Sequence, residues 1–261
     1  MIANISLQKL SEQQNIFTTG IKIIEQYKLS LRAGRCKKED DSVVNYIEKS
    51  IEGGDTVLDI GSQEGNYIYF MRRKLKQSGK IIAFESQPFL HQHLAHLKKI
   101  LDWKNVELEL IKLSNVAGTE HVHHRLNGRN NSSLKSAIVI NMNEDLNNYF
   151  SNKITVQTLD NYCVSRNIKP NFIKIDDQGN ELKMLQGAVN ILKNYKPKLL
   201  VKCEEKIAGT QKVLETFKLL KQLNYTGYFV LDTLRIPLTN FDFNVYQNAY
   251  NNFYCSNFIF E

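Results

Sequence analysis

The sequence predicts an α/β protein, a doubly wound and mostly parallel sheet with an antiparallel strand at its C-terminal end. Three observations carry this. Short apolar runs alternate with helix-period segments from residue 56 to residue 223. The run Thr56-Val-Leu-Asp-Ile-Gly61 breaks into a tight turn carrying Gly61 and Gly65, as the first strand-to-helix turn of such a sheet does. Residues 226–231 and 254–260 are strand-like with no long helix between them, so they should pair antiparallel.

Each element follows from its residues. Ile16, Phe17, Ile21, Ile24, Tyr27 and Leu31 recur at mostly helical spacing, predicting one or two amphipathic helices within an N-terminal extension, residues 1–52. That extension is expected to pack on the core or to lid a cleft. Asp41 or Ser42 can cap a helix running to about Ile51 with Val43, Val44, Tyr46 and Ile47 as its apolar face, and Gly53-Gly54 stops it. The main domain, 53–261, starts with the strand ending at Asp59 and a helix from about Gly65 to Gln77. Ser78-Gly79 turns into Lys80-Ile-Ile-Ala-Phe-Glu85, then come a helix from about Pro88 to Leu101 and a third strand, Val106 to Leu113. Residues 119–157 break the alternation, with extended pieces at 120–125 and 154–157 around a polar loop at 127–133. They read as an insertion near the active face. A short helix from Leu159, the strand Phe172-Ile-Lys-Ile-Asp176, a helix from about Asn180 to Asn194 and the strand Lys198 to Cys203 follow. A last helix, Gln211 to Leu223, should bury Val213, Leu214, Phe217 and Leu220.

At 261 residues with 42 % hydrophobic and 23 % charged residues, the chain has the composition of an ordinary globular protein with a substantial core. The net charge of +7 raises the question of an anionic partner. The basic residues are spread over predicted helices, as on solvated faces, and nucleic-acid binding is disfavoured. Cys36, Cys163, Cys203 and Cys255 form no C-x-x-C pair, and neither a signal peptide nor a membrane span is recognisable. A cytoplasmic protein with reduced thiols is the expectation. All six histidines lie between residues 91 and 124 without a recognisable ligand spacing, so no metal is expected; His121, His123 and His124 remain candidate bases.

The loop after the first strand lacks the phosphate-binding G-x-G-x-x-G, because its second glycine is here Gln63. A cofactor without phosphates but with a cationic end suits the acid Asp59 better, and S-adenosylmethionine is one. Asp59, Gly61, Ser62 and Gly65 are the predicted cradle. Glu85 ends the second strand, where a carboxylate can accept both ribose hydroxyls, with Ser86 beside it; Ser114 and Asn115 stand where the adenine would lie. A nicotinamide cofactor would use the same spaced acid and stays an alternative.

Taken together, Val57-Leu-Asp-Ile-Gly61, Ile82-Ala-Phe-Glu85, Ser132-Ser133-Leu134, Thr158-Leu-Asp160 and the block from Ile173 to Ala188 resemble the FkbM-type methyltransferases. The block Ile173-Lys-Ile-Asp-Asp-Gln-Gly-Asn-Glu-Leu-Lys-Met-Leu-Gln-Gly-Ala188 is similar to that family's K-I-D-x-E-G-x-E-x-x-x-L-x-G-A signature over its whole length. The resemblance spans roughly residues 40 to 205. It implies a Rossmann-like class I methyltransferase fold, S-adenosylmethionine as cofactor, and methyl transfer to a hydroxyl of a carbohydrate or secondary metabolite. Two departures stand out: Gln178 replaces the signature's glutamate, and Ser62-Gln63-Glu64-Gly65 replaces its frequent A-N-x-G. Asp177 is placed to offset the lost charge of the first.

Methyl transfer needs an aligned acceptor and a place for its proton. Asp176, ending a strand at the sheet's carboxyl edge, is the first candidate, although an acid there can also simply cap the next helix. Lys174 points to the same side of the strand and can pair with an acid; Glu181 sits in the next helix's first turn. Glu204 and Glu205 are further acceptor-side candidates. The expected partner is a small-molecule or glycan acceptor. A nucleic-acid methyltransferase and a methyltransferase-fold binding protein without catalysis are the rival readings.

Overall fold

A computed structural model describes residues 2–125, 149–231, 234–248, 250–251 and 254–261. The Ser132-Ser133-Leu134 motif and the polar loop at 127–133 lie outside these residues. In chain order the elements are α1 (Ile2–Glu39), α2 (Asp41–Ser50), β1 (Thr56–Ile60), α3 (Asn66–Leu75), β2 (Lys80–Phe84), α4 (Pro88–Ile100), β3 (Val106–Glu109), β4 (Ile111–Leu113), β5 (Gly118–Arg125) and β6 (Tyr149–Gln157). Then follow α5 (Leu159–Ser165), β7 (Phe172–Ile175), α6 (Glu181–Gln186), α7 (Val189–Tyr195), β8 (Lys198–Lys202), α8 (Glu205–Ala208), α9 (Thr210–Gln222), β9 (Gly227–Leu231), β10 (Leu234–Pro237), α10 (Phe243–Tyr246) and β11 (Asn257–Phe260).

Eight strands form the main sheet in the order β10-β9-β11-β8-β7-β1-β2-β3. β1, β2, β3, β7 and β8 are parallel, while β11 runs antiparallel to both β8 and β9. The chain adds strands from β1 outward to β3, then returns to the other side of β1 with β7, so the order reverses between β1 and β7. Ligands of open α/β sheets bind at such a reversal, outside the carboxyl ends of the strands. β1 and β7 can sit there because apolar, largely β-branched residues cover both their faces. One apolar layer includes Leu58, Ile60, Phe84, Ile173 and Ile175; the other includes Val57, Ile81, Ala83 and Phe172.

Several expectations are corrected. The predicted third strand splits: β3 stays in the main sheet, while β4 leaves it to pair parallel with β6 in a second sheet of order β4-β6-β5. Val106 to Leu113 reads as one strand because both halves are extended; the change of sheet is a tertiary event. The predicted helix from Asn180 to Asn194 breaks into α6 and α7 at Gly187, where a Cβ would stand 2.1 Å from the Ser114 carbonyl oxygen. Asp160 accepts hydrogen bonds from the Asn190 and Ile191 main-chain N–H groups at 3.0 and 2.9 Å, capping the restarted helix. On α9, Leu214 is exposed and Thr216 is buried in its place. On α1 the predicted apolar face is turned to solvent at Ile24, Tyr27 and Leu31, and the helix seats Leu29 and Ala33 instead. Among the described residues no helix is long and apolar enough to cross a membrane, and none of the four cysteines forms a disulfide.

Candidate active site

The carboxyl ends of β1 and β7 meet so closely that only glycine fits at position 61. Its φ is +73°, and a Cβ there would lie 2.0 Å from the Asp176 carbonyl oxygen. The Gly61 and Ser62 N–H groups donate to the Phe84 carbonyl at 3.0 and 3.2 Å, which folds the turn back over the end of β2. A cleft of about 280 Å³ opens at this junction. Gly61, Gln63, Glu85, Ser86 and Gln87 form one wall; Asp176, Asp177, Gln178 and Asn180 form the facing turn. Ile111 and Leu113 from β4 supply an apolar side, with Lys112, Glu120 and His121 at the rim.

Glu85 is 4 % exposed, and its two carboxylate oxygens accept the main-chain N–H groups of Gln63 and Gln87, each at 2.8 Å. Burial raises its pKa; those two N–H groups oppose the shift. A carboxylate has lone pairs beyond these two bonds, so it can still accept hydroxyls from a ligand in the cleft. Across the cleft, Asp176 Oδ2 accepts the Gln63 side-chain amide at 3.1 Å and lies 3.7 Å from Lys202 Nζ. Lys202 in turn is 3.6 Å from Glu204, whose other oxygen pairs with Lys206 at 2.9 Å. Burial pulls the Lys202 pKa down, but Asp176 and Glu204 outweigh it and the net shift is upward.

The turn 176–180 holds two unusual acids. Burial pushes the Asp177 carboxyl up to about 7 despite the Asn180 amide, which donates to it at 2.6 Å. Burial likewise pushes Glu181 up to about 7, although it accepts the Gly179 N–H at 2.9 Å. Gln178 sits in the left-handed region with φ 46°. At the rim, Lys112 pairs with Glu120 at 2.5 Å.

Of the predicted site residues, Gly61, Glu85, Ser86 and Asp176 come together around the cleft. The candidate base His121 stands at its rim, while Asp59, Ser62, Gly65, Ser114, Asn115, Lys174 and Glu181 do not line it. Asp59 is fully buried beside Lys174, 3.1 Å away, rather than facing a ligand. Ser62 donates its hydroxyl to the Asp59 carbonyl. Gly65 takes φ +80° ahead of α3, where a Cβ would meet Leu94. Ser114 is tied to the β6 end through its N–H, and Asn115 reaches Gln186. Glu181 lies behind the turn, bonded to Gly179. Sequence reading did not place Gln63, Gln87, Ile111, Leu113 and Asn180 at the cleft, which they line. Asn180 had a local signal: it closes the turn after Asp176 just ahead of α6, and its amide also holds the Leu113 carbonyl at 2.9 Å. Among the described residues no group of three His, Cys, Asp or Glu side chains converges as a metal site.

The family model of the methyltransferase FkbM domain matches residues 33–228. The chain belongs to the FkbM methyltransferase family. A solved methyltransferase FkbM from Methylobacillus flagellatus has a similar fold, with TM-score 0.52 and 14 % identity, over 81 % of this chain and 44 % of that one. The chain thus spans less than half the length of that relative. A Thermotoga maritima S-adenosylmethionine-dependent O-methyltransferase matches at TM-score 0.42 and 12 % identity, over 85 % of this chain and 63 % of that one. Aeropyrum pernix fibrillarin, solved with natively bound S-adenosylmethionine, matches at TM-score 0.44 and 10 % identity, over 81 % and 67 %. No curated protein matches in sequence. Within this member of the FkbM methyltransferase family the signature from Ile173 to Ala188 builds the turn of Asp176, Asp177, Gln178 and Asn180, and Thr158-Leu-Asp160 is structural, capping α5 and α7.

Proposed function

We propose that the chain is an S-adenosylmethionine-dependent methyltransferase that methylates a hydroxyl oxygen of a carbohydrate or secondary metabolite. The observation that carries this reading is the facing pair of carboxylates: Glu85, fixed by two N–H groups at the end of β2, and Asp176 at the end of β7, on either side of one cleft. Glu85 would accept the ribose hydroxyls, and Ile111 and Leu113 would give the adenine an apolar wall. The glycine at 61 fits the same cofactor, because any side chain there would collide with the Asp176 main chain. The cofactor supplies an already activated methyl group on a sulfonium.

The chain's own work is alignment and proton handling. Asp176 would take the acceptor hydroxyl's proton as that oxygen gains the methyl group and the S–CH3 bond to the sulfonium breaks, leaving a neutral thioether. Lys202 balances its charge from the outer side. Gln178, in place of the signature's glutamate, lies beside this face and removes one charge from it.

Calorimetry with S-adenosylhomocysteine and with NADH tests the cofactor. Binding of the first alone is expected; binding of NADH alone would overturn the reading. Mass spectrometry of a glycan and small-molecule acceptor panel with deuteromethyl donor then tests catalysis. A labelled O-methyl product is expected. Cofactor binding with no transfer to any acceptor would favour the binding-protein alternative.

A further inference from the structure

Gln63 bonds to both carboxylates of the cleft. Its main-chain N–H donates to Glu85 Oε2 at 2.8 Å, and its side-chain Nε2 donates to Asp176 Oδ2 at 3.1 Å. Its backbone is left-handed, φ 49°, between Gly61 and Gly65, which are left-handed too. A glycine would hold that conformation with less strain. The long side chain is retained in an unfavourable conformation, and it ends on the carboxylate at the opposite wall.

We propose that Gln63 is a positioning residue that couples occupancy at Glu85 to the orientation of Asp176. The inference rests on the methyltransferase reading above. The Gln63 N–H fixes the residue's main chain on Glu85, and from that anchor the amide reaches one oxygen of Asp176. Lys202 stands nearest the same oxygen. Oδ2 is therefore committed, and Oδ1 is the oxygen left for an acceptor hydroxyl. A ligand hydroxyl accepted on a remaining lone pair of Glu85 draws charge from the carboxylate that holds the Gln63 N–H and loosens that bond, so the main chain of Gln63 responds to occupancy and its side chain carries the response across the cleft. Coupling between two sites is a free energy that each site must show toward the other.

A double-mutant cycle reads that coupling without knowledge of the acceptor. Affinity for S-adenosylhomocysteine is measured by calorimetry for the wild type, Glu85→Gln, Asp176→Ala and the double variant, then for the same four combinations carrying Gln63→Leu. With Gln63 present, the double variant's affinity is expected to depart from the product of the single effects by about threefold or more. With Gln63→Leu, the effects should multiply. Independent effects in the wild-type background, or an unchanged departure with leucine at 63, would overturn the proposal. Failure of the wild type to bind S-adenosylhomocysteine would instead overturn the methyltransferase reading. Thermal melts check each variant's fold; Glu85→Asp replaces Glu85→Gln where the latter is unfolded, and ligand-induced melting shifts replace calorimetry where affinities are weak.

Discussion

The Lys174 ammonium lies 3.1 Å from Asp59 Oδ1, with the two side chains 5 % and 0 % exposed. The pair is set by the sheet, since Asp59 and Lys174 are register partners on β1 and β7. The Tyr67 ring covers Nζ at 4.7 Å, and among the described residues no hydrogen bond reaches either Asp59 oxygen. The lysine is therefore that carboxylate's main compensation. Lys174→Met is expected to lower stability by about 3–5 kcal/mol in urea unfolding, because it strands a buried charge. Adding Asp59→Asn should recover much of that. A loss below about 1 kcal/mol would mean that water reaches the carboxylate.

Glu85→Ala is expected to weaken S-adenosylmethionine binding about tenfold to a hundredfold, from the roughly 1.5–3 kcal/mol of hydrogen bonds to a charged group. The variant also removes the carboxylate that accepts the Gln63 and Gln87 N–H groups. Calorimetry checks this, and an unchanged affinity would remove Glu85 from the cofactor site.

Glu181 gives a pH dependence of stability. Its carboxyl is raised from the ordinary 4.5 to about 7, chiefly by burial. Between those values the folded state holds a proton that the unfolded chain has lost, so the group's contribution is greatest below about 4.5 and is lost as the pH rises through 7. Glu181→Gln keeps an acceptor for the Gly179 N–H and removes the titration. The stability of the variant minus that of the wild type should rise from pH 4.5 to 7 and then level off. A flat difference in pH-resolved chemical denaturation would contradict the assignment. Asp177, raised the same way, should leave the variant with a residual slope.

Gly61→Ala places a methyl 2.0 Å from the Asp176 carbonyl oxygen at a φ of +73°, so β1 and β7 must part to admit it. The expected cost exceeds about 1 kcal/mol in thermal unfolding, with loss of S-adenosylhomocysteine binding. A stable variant that binds normally would show that the junction can open without disturbing the cleft.

β1, β2, β7 and β8 were legible because each is a contiguous run buried on both faces and closed by a turn residue. The change of sheet at Leu110 was not, because β3 and β4 are both extended and nothing local marks which neighbour each will pair with. The break between α6 and α7 was equally hidden: Gly187 sits inside an unbroken helical period, and its contact with Ser114 comes from another element. At the site, Glu85 and Asp176 could be read as strand-end acids. The opposite assignment of Asp59, to an ion pair rather than a ligand, depends on which strand lies beside β1.

By itself the sequence determined the alternation of strands and helices, the glycine-bearing turn after Ile60 and the two strand-end acids that face each other over the cleft. These follow from burial and backbone geometry within a few residues. The tertiary structure decided which internal partner each acid meets: Lys174 occupies Asp59, while Gln63 reaches Asp176 across 113 residues of chain. A side chain's partner is set by strand register and loop path, and those are fixed only when distant segments pack together.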